Sequence, residues 1–366
     1  MKIHELPHVN GNFGDALNAW LWRDLLPQVF DEDAAVRFIG IGTILDRQLP
    51  RAPLTVVLGA GTGYAPPPED LHTDPARWRI YGVRGPLTAR ILRLAPDSVL
   101  TDPAILLVDH PSFKQREASG TVFVPHWKSV QFGQWRKACT LAGIQFVDPC
   151  GDAHAVIRKI AGARKVIAES MHAGIIADAF RVPWVPVVLS REVAPFKWVD
   201  WASTMQLPYE PLRLAASSPV ELLRDQLLRR SAFGYIGDID DNEPPSAQAD
   251  GTRLRWTDAQ LLRDHAAAIA RVASPLHWRA SVTAEALLKR VARASRHTHA
   301  KWSPALYRRY REQAAAQLAR VAEQAGQLST DAAHGEALER CRQALQRLAN
   351  DHRDGLLQPP HLAAIA

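Results

Sequence analysis

The segment KVIAESMHAGIIADAFRVPWVPVVL, residues 165–189, contains the pattern that decides the fold. Its first apolar run, VIA, predicts a buried strand, and the apolar residues that follow recur at helical spacing. Ser170 stands between the two patterns as the predicted N-cap, which places His172 in the first helical turn. Residues 184–189 form a second apolar run. The segment therefore indicates a strand–helix–strand unit of an α/β protein.

His172 is the first candidate for chemistry because of this position. A helix N-terminus that follows a strand offers backbone N–H groups to an anion, and a histidine there can bind the anion and exchange a proton with it. The alternative is a polar histidine that is hydrogen-bonded at the helix start and has no catalytic role. Glu169 supplies a second titratable group at the same turn.

Composition limits the class of protein. The 366 residues are 47% hydrophobic and 22% charged, which excludes a mainly disordered chain and leaves room for two domains and a helical addition. A net charge of +6 favours acidic partners, meaning phosphorylated small molecules, anionic lipid or nucleic acid. The three cysteines lack metal-ligand spacing and suit a reducing compartment. The sequence shows no signal peptide and no apolar run of about 18 residues, so we expect a cytoplasmic protein.

The N-terminal part contains a first βα series. Residues 11–27, GNFGDALNAWLWRDLLP, predict a loop that continues into an amphipathic helix, with Asn12 and Asp15 at the start of that helix. Strands are predicted over residues 36–44 and 55–58, each with glycines at its C-terminal end, GIG at 40–42 and GAGTG at 59–63. Three prolines follow the second glycine cluster where a dinucleotide site would need a helix, so an NAD site is rejected.

Arg84 ends the next predicted strand, residues 80–84. Arginine offers a fixed fork of donors for a carboxylate or phosphate, so one hypothesis is a substrate contact. The other is a structural salt bridge to an acid such as Asp102, which lies in a further strand predicted over residues 99–107. The polar, proline-bearing stretch 109–120 is the predicted linker between domains.

The βα alternation then restarts. Strands are predicted over residues 121–124 and 144–147 and helices over residues 135–142 and 153–161, before the segment quoted first. Two such series predict two Rossmann-like domains, residues 1–115 and 120–215, which face each other across a cleft. His126 and Lys128 follow the second domain's first strand and would face that cleft.

Further cations follow residues 184–189. These are Arg191 and Lys197, and Lys197 lies within the aromatic sequence FKWVDW, which is predicted to end another strand. Its tryptophans could form the floor of a sugar site or pack over the edge of the core.

From residue 216 the composition changes to Ala, Arg, Leu and Gln, and residues 216–366 are predicted to be a helical extension without which residues 1–215 fold. Its predicted helices cover residues 220–230, 258–272, 284–293, 305–325 and 335–351. The pair Asp238 and Asp240 resembles a metal-binding motif, but Glu243 replaces the glycine of a calcium loop, so no metal is expected. The basic, aromatic sequence around Arg308 could contact acidic lipid or be a solvated helix face.

Several of these stretches together resemble one family. The motifs GNFGDALNAWLW, GIGT, GAGTGY, YGVRGPLTA, TDPAILL, FVPHW, ESMHAGIIADAFRVPWVPV and FKWVDW are similar to the polysaccharide pyruvyl transferases, in particular the ketal-forming members of succinoglycan-type exopolysaccharide synthesis. The resemblance covers residues 3–211 in order.

The resemblance implies an architecture and an activity. It implies a GT-B-like arrangement of the two Rossmann-like domains and transfer of the enolpyruvyl group of phosphoenolpyruvate to sugar hydroxyls, closed into a pyruvate ketal. It also implies that phosphoenolpyruvate is the donor substrate, with no cofactor and no metal, and that the acceptor is a saccharide linked to lipid. A peripheral contact with the inner face of the cytoplasmic membrane is compatible with this acceptor, and nucleic acid is not expected as a partner.

Residue by residue, Met171 and His172 match the last two positions of the family's Arg-Leu-His motif, which is associated with the phosphoenolpyruvate site. Ser170 stands where many members have the arginine, so one cation is absent, and Lys128, Arg191 or Lys197 could replace it. The remaining assignments are a proton donor, His172; a base, Asp15 or Glu169; and substrate contacts from Asn12, Arg84, His126 and Ser170.

Two other functions remain open. A GT-B glycosyltransferase would share the fold and use the same anion site for a nucleotide sugar. A non-catalytic carbohydrate- or lipid-binding module would explain Ser170 and the basic extension, but the presence of His172, Arg84 and Asp15 favours an enzyme.

Overall fold

The computed structural model describes residues 1–5, 11–114, 119–229, 231–236, 253–297 and 304–359. It is an α/β protein with two parallel sheets and a C-terminal helical region, which confirms the predicted class. The metal motif considered at Asp238 and Asp240 lies outside the described residues. No helix in the described ranges is long and apolar enough to span a membrane.

The first sheet has four parallel strands in sequential order, β1 to β4. Their bounds are β1 Lys2–Ile3, β2 Val36–Ile39, β3 Leu54–Leu58 and β4 Trp78–Gly82. Helix α1, Leu17–Leu25, follows β1, and α2, Pro86–Ile91, follows β4. Pro86 opens α2 because a first-turn proline needs no hydrogen-bonded N–H and has the helical φ.

The second sheet has five parallel strands in the order β6-β5-β7-β8-β9. Their bounds are β5 Ser119–Val124, β6 Gln145–Phe146, β7 Ala163–Ala168, β8 Trp184–Val188 and β9 Leu212–Arg213. Counted within this half, the order is that of a doubly wound sheet in which the direction of winding changes between β5 and β7. The carboxyl ends of β5 and β7 therefore flank a crevice where ligands bind in such folds.

The helices of this half are α3 Ser129–Phe132, α4 Trp135–Ala142, α5 Ala153–Ala161, α6 Met171–Ala179 and α7 Pro195–Ala202. The predicted bounds of α4 and α5 are confirmed. Both helices have strong local signals, since α4 ends at Gly143 in the left-handed conformation and Asp152 caps α5 by accepting from the N–H of Ala155.

The strand predicted over residues 99–107 is wrong. A 3₁₀ helix, Pro103–Asp109, occupies most of it, and Asp102 caps this helix by accepting from the N–H of Ala104 at 3.0 Å. Pro103 has no N–H for a strand ladder, and the apolar run is buried against α6 rather than in a sheet. A short apolar run indicates burial without deciding between strand and helix.

The strand predicted to end within FKWVDW is also wrong, because these residues form α7. Trp198 and Trp201, three residues apart on the helix, are 0% and 1% exposed, and the Trp198 ring stacks on Trp184 at 5.9 Å. Of the two interpretations of these tryptophans, core packing is therefore the correct one.

The C-terminal helices are α8 Pro219–Leu228, α9 Asp258–Ala273, α10 Pro275–His297, α11 Pro304–Glu323 and α12 Asp331–Arg353. Leu318 of α11 is buried in the cluster that contains Phe123 and Val187 of the second sheet. Cys341 and Leu348 of α12 are fully buried in the cluster that joins both sheets. This packing argues against folding of residues 1–215 alone, while the proposed domain boundaries stay a prediction.

Candidate functional site

A cavity of about 250 Å³ lies at the crevice formed by the carboxyl ends of β5 and β7. Both halves of the chain contribute to its wall, since Asp15 precedes α1 and His172 belongs to α6. The predicted site residues that line it are Asn12, Asp15, His126, Lys128, Ser170, His172 and Lys197. The other three, Glu169, Arg84 and Arg191, are buried outside this lining.

Glu169 connects the strand ends beneath the cavity. Its carboxyl group accepts from the N–H of His126, after β5, at 2.7 Å and from the N–H of Leu189, after β8, at 3.1 Å. Burial raises its pKa to about 8, although these hydrogen bonds act in the opposite direction. Glu169 is 1% exposed, so its position favours a structural role over the predicted role of base.

His172 is held tightly in the first turn of α6. A Cβ atom built at Gly14 would lie 1.9 Å from its Nδ1, so only glycine fits beside the ring. Its Nε2 lies 3.9 Å from Oδ2 of Asp102, and among the described residues neither atom has a hydrogen-bond partner. Burial lowers the pKa of His172, while the charges of Asp102 and Asp15 oppose this shift. The imidazole is therefore neutral at neutral pH in the ligand-free protein.

Asp102 is a site residue that sequence reasoning missed, because it was considered only as a possible partner of Arg84. It is fully buried and directed toward His172 from the 3₁₀ helix. The available signal was an acid followed by proline at the start of the apolar run 104–108, but nothing local indicated its distance to His172.

Two lysines reach the cavity from different elements. Nζ of Lys197, on α7, donates to the hydroxyl of Tyr64 at 2.5 Å. Nζ of Lys128, just before α3, bonds to Glu192 and lies 5.0 Å from the ring centroid of Phe233. Lys197 therefore offers a positive charge to an anion in the cavity, and Lys128 does so beside the carboxylate of Glu192.

Burial and these cations together lower the pKa of His126. Burial is the main cause that lowers its pKa to about 3, and Lys197 and Lys128 lower it further. His126 is therefore neutral at neutral pH, and it can serve as a hydrogen-bonding contact but not as a cationic one.

Glu192 links the cavity to the C-terminal helices. Its carboxylate contacts Lys128 on one side and Arg224 of α8 on the other, and Arg224 Nε also lies 3.2 Å from Glu285 of α10. Burial alone would raise the pKa of Glu192, but Arg224 and Lys128 lower it to about 2. Arg191, a predicted cation of the site, is instead 3.7 Å from Asp225 on α8.

Arg84 does not line the cavity but bonds to a residue that does. Its Nη1 donates to Oγ1 of Thr43, which lines the cavity, at 2.7 Å, and its Nε donates to Asp200 of α7 at 3.2 Å. Arg84 and Asp200 are both fully buried. The geometry favours the salt-bridge hypothesis, with Asp200 as partner in place of Asp102.

The remaining predicted residues form one edge of the site. Asn12 Nδ2 donates to Oδ2 of Asp15 at 2.6 Å, which orients that carboxylate beside the cavity. Ser170 is the N-cap residue of α6, but within the described chain its side chain makes no capping hydrogen bond. Ser170 is one of the residues that line the cavity.

Aromatic residues that the sequence did not indicate complete the wall. Tyr64 follows the second glycine cluster, and its ring lies 5.4 Å from that of Tyr235. Phe233 and Tyr235 come from the segment after α8, so the helical region contributes directly to the cavity. In the described part of the chain, no group of three or more His, Cys, Asp or Glu side chains could hold a metal ion.

Comparison with known proteins identifies the class. The sequence profile of the polysaccharide pyruvyl transferase family matches residues 12–191, which include Asp15, Arg84, Asp102 and His172. The chain belongs to this family.

The chain is also similar to a named protein of polysaccharide synthesis. The chain is 43% identical over 225 residues to the succinoglycan biosynthesis protein ExoV of Rhizobium meliloti (strain 1021), over 61% of this chain and 71% of that protein. No solved structure matches the chain.

Proposed function

We propose that the protein transfers the enolpyruvyl group of phosphoenolpyruvate to sugar hydroxyls of an exopolysaccharide, or of its lipid-linked repeat unit, and closes it into a pyruvate ketal. The observation that carries this proposal is the cavity in which a buried neutral His172 faces Asp15 and two lysines. Family membership and the similarity to ExoV, a succinoglycan biosynthesis protein, support the acceptor class.

The donor carries a phosphate and a carboxylate, so its site needs several cationic or N–H donors. Lys128, Lys197 and the N-terminus of α6 supply them on one side of the cavity. In this assignment the lysines replace the cation that is absent at Ser170. His126 contributes a neutral hydrogen-bonding contact to the donor.

The reaction needs an acid for the enol carbon C3 and a base for the attacking hydroxyl. A bound phosphate favours the protonated form of His172, which then transfers the proton to C3 and makes C2 electrophilic. The first sugar hydroxyl attacks C2 as Asp15 accepts its proton. Phosphate leaves as the second hydroxyl attacks. Of the two hydroxyl protons, one replaces the proton that His172 gave to C3, and the other leaves on the phosphate.

Asp102 positions His172 in this scheme. Its carboxylate lies beside Nε2, where it would stabilise the imidazolium that forms when the donor binds. Glu169 and Arg84 hold the strand ends and α7 in place. Because Asp15 comes from the first half of the chain and His172 from the second, the cavity supports a GT-B-like arrangement of residues 1–115 and 120–215.

Ligand-dependent thermal stabilisation tests the donor, because only a ligand that binds the folded state raises the unfolding midpoint. Phosphoenolpyruvate should raise it and nucleotide diphosphate sugars should not. The opposite result would favour a glycosyltransferase. Mass spectrometry of the exopolysaccharide from a deletion strain tests the product, since the pyruvyl mass should be lost and should return with the intact gene.

A further inference from the structure

Helix α10 presents large apolar side chains on its outer surface. Of the exposed large apolar side chains in the described chain, half lie on this helix, including Leu276, Leu287 and Val291, at 80%, 62% and 37% exposure. Their spacings of 11 and 4 residues are close to whole turns, so they form one stripe. The adjacent face, which begins one residue further along at Leu288 and Ala292, packs against Phe132 and Val220. The stripe is therefore a second apolar face that the fold does not bury.

The charges of α10 are arranged around this stripe. Arg279 and Arg290 are exposed beside it on the helical wheel. Lys289 lies on the side of the helix away from the stripe, 3.8 Å from Glu285. Glu285 is the only acid in α10, and it is buried against Arg224 on the inner side. The outer surface is consequently apolar and cationic.

A cleft with the same character lies nearby. It has a volume of about 590 Å³ between α4 and α11. Its lining combines aromatic rings with cations, namely Trp135, Phe146, Tyr307, Arg136, Lys137 and Arg311. Both features border on α3, because Val130 lines the cleft while Phe132 packs against Leu288 of α10.

We propose that α10 and this cleft form a docking surface for a bilayer that contains anionic phospholipid. Amphipathic helices with a cationic rim bind in the plane of such a surface, with apolar side chains at the acyl boundary and cations among the headgroups. Proteins that act as free monomers rarely expose contiguous apolar surface without a partner. The cations at the rim of the stripe and in the cleft favour an anionic bilayer as the partner.

Helix α10 also contacts the wall of the active-site cavity. The Trp278 ring of α10 lies 5.2 Å from the ring of Phe233, which lines the cavity. Trp278 is two residues from Leu276, so this contact lies on the side of α10 turned away from the stripe. A bilayer bound at the stripe would therefore be about one helix diameter, roughly 10 Å, from the contact, and could present lipid-linked saccharide to the cavity. This last step rests on the proposed function, whereas the docking itself does not.

Vesicle flotation of the full-length protein tests the proposal. The protein should float with vesicles of phosphatidylcholine and phosphatidylglycerol, float far less with phosphatidylcholine alone, and be released as ionic strength rises. Leu287→Glu should lower partitioning by about tenfold or more, since it removes an exposed leucine that would enter the bilayer and adds a charge that anionic lipid repels. Leu356→Glu is the matched control because Leu356 is 59% exposed outside this surface. It should bind as the unchanged protein does.

Equal binding by the two variants, or no binding of the unchanged protein to anionic vesicles, would overturn the proposal. Circular dichroism and the unfolding midpoint of each variant establish that both are folded. Size-exclusion chromatography tests the rival partner, a second copy of the chain. A dimer that Leu287→Glu dissociates, together with absent vesicle binding, would show that the stripe is a protein interface instead.

Discussion

His172 enters the proposed reaction as a neutral imidazole, because burial lowers its pKa more than Asp102 and Asp15 raise it. His172→Gln should lower turnover by about 10²- to 10⁴-fold, the usual contribution of a general acid, without loss of the fold. Release of phosphate from phosphoenolpyruvate in the presence of acceptor is the measurement. His126→Ala is the control and should chiefly raise KM for the donor. Near-normal turnover of a folded His172 variant would remove His172 from the chemistry.

The raised pKa of Glu169 makes the free energy of unfolding fall as the pH rises. Its pKa is raised to about 8 from an ordinary value of 4.5, so the folded chain keeps a proton that the unfolded chain releases. The stabilisation from this group is fully present below about pH 4.5 and is lost as the pH rises through about 8.

Glu169→Gln should therefore flatten the loss of stability with rising pH. Between about pH 5 and pH 8, the unfolding midpoint of the unchanged protein should fall by more than that of Glu169→Gln. The exposed Glu69 supplies the control, since Glu69→Gln should follow the unchanged protein. Parallel midpoint curves for all three proteins would contradict the protonated state assigned to Glu169.

Helix α8 supports the donor site through Arg224, which holds Glu192 and thereby Lys128. Arg224→Met should raise KM for phosphoenolpyruvate by about tenfold with a smaller effect on kcat, because a charged hydrogen bond that orients the lysine is lost. Arg224→Lys should restore part of the affinity. Arg136→Met is the control, since Arg136 is exposed in its ion pair with Asp148. An unchanged KM with lowered stability would show that the network is only structural.

Elements with local signals were predictable from the sequence, whereas α7 and the 3₁₀ helix were not. Helix α4 ends at Gly143 and α5 begins after Asp152, so residues next to each helix in the sequence determine where it ends or begins. The run from Pro103 to Asp109 and the residues of α7 are apolar because they are buried between other elements. Burial of that kind gives the same sequence pattern for a strand and for a helix.

The whole molecule depends on its C-terminal helices. Leu348→Ala in α12 should lower the free energy of unfolding by about 2 to 5 kcal/mol, since Leu348 is fully buried. Leu356→Ala, at 59% exposure, should change it by no more than about 0.5 kcal/mol. Denaturant unfolding measures both values. A chain that ends at residue 215 should aggregate, and a folded monomer of that length would contradict the shared core.

The sequence by itself determined the α/β class, the strand–turn–helix that carries His172 and the family to which the chain belongs. These properties follow from periodicity, caps and short motifs, which act between residues close in the chain. Only the tertiary structure decided that Asp102 faces His172, that Arg84 pairs with Asp200 116 residues away, and that Phe233 reaches the cavity from beyond the second sheet. Such contacts depend on how buried elements pack, and many long-range pairings satisfy the same local pattern, so the folded chain alone selects among them.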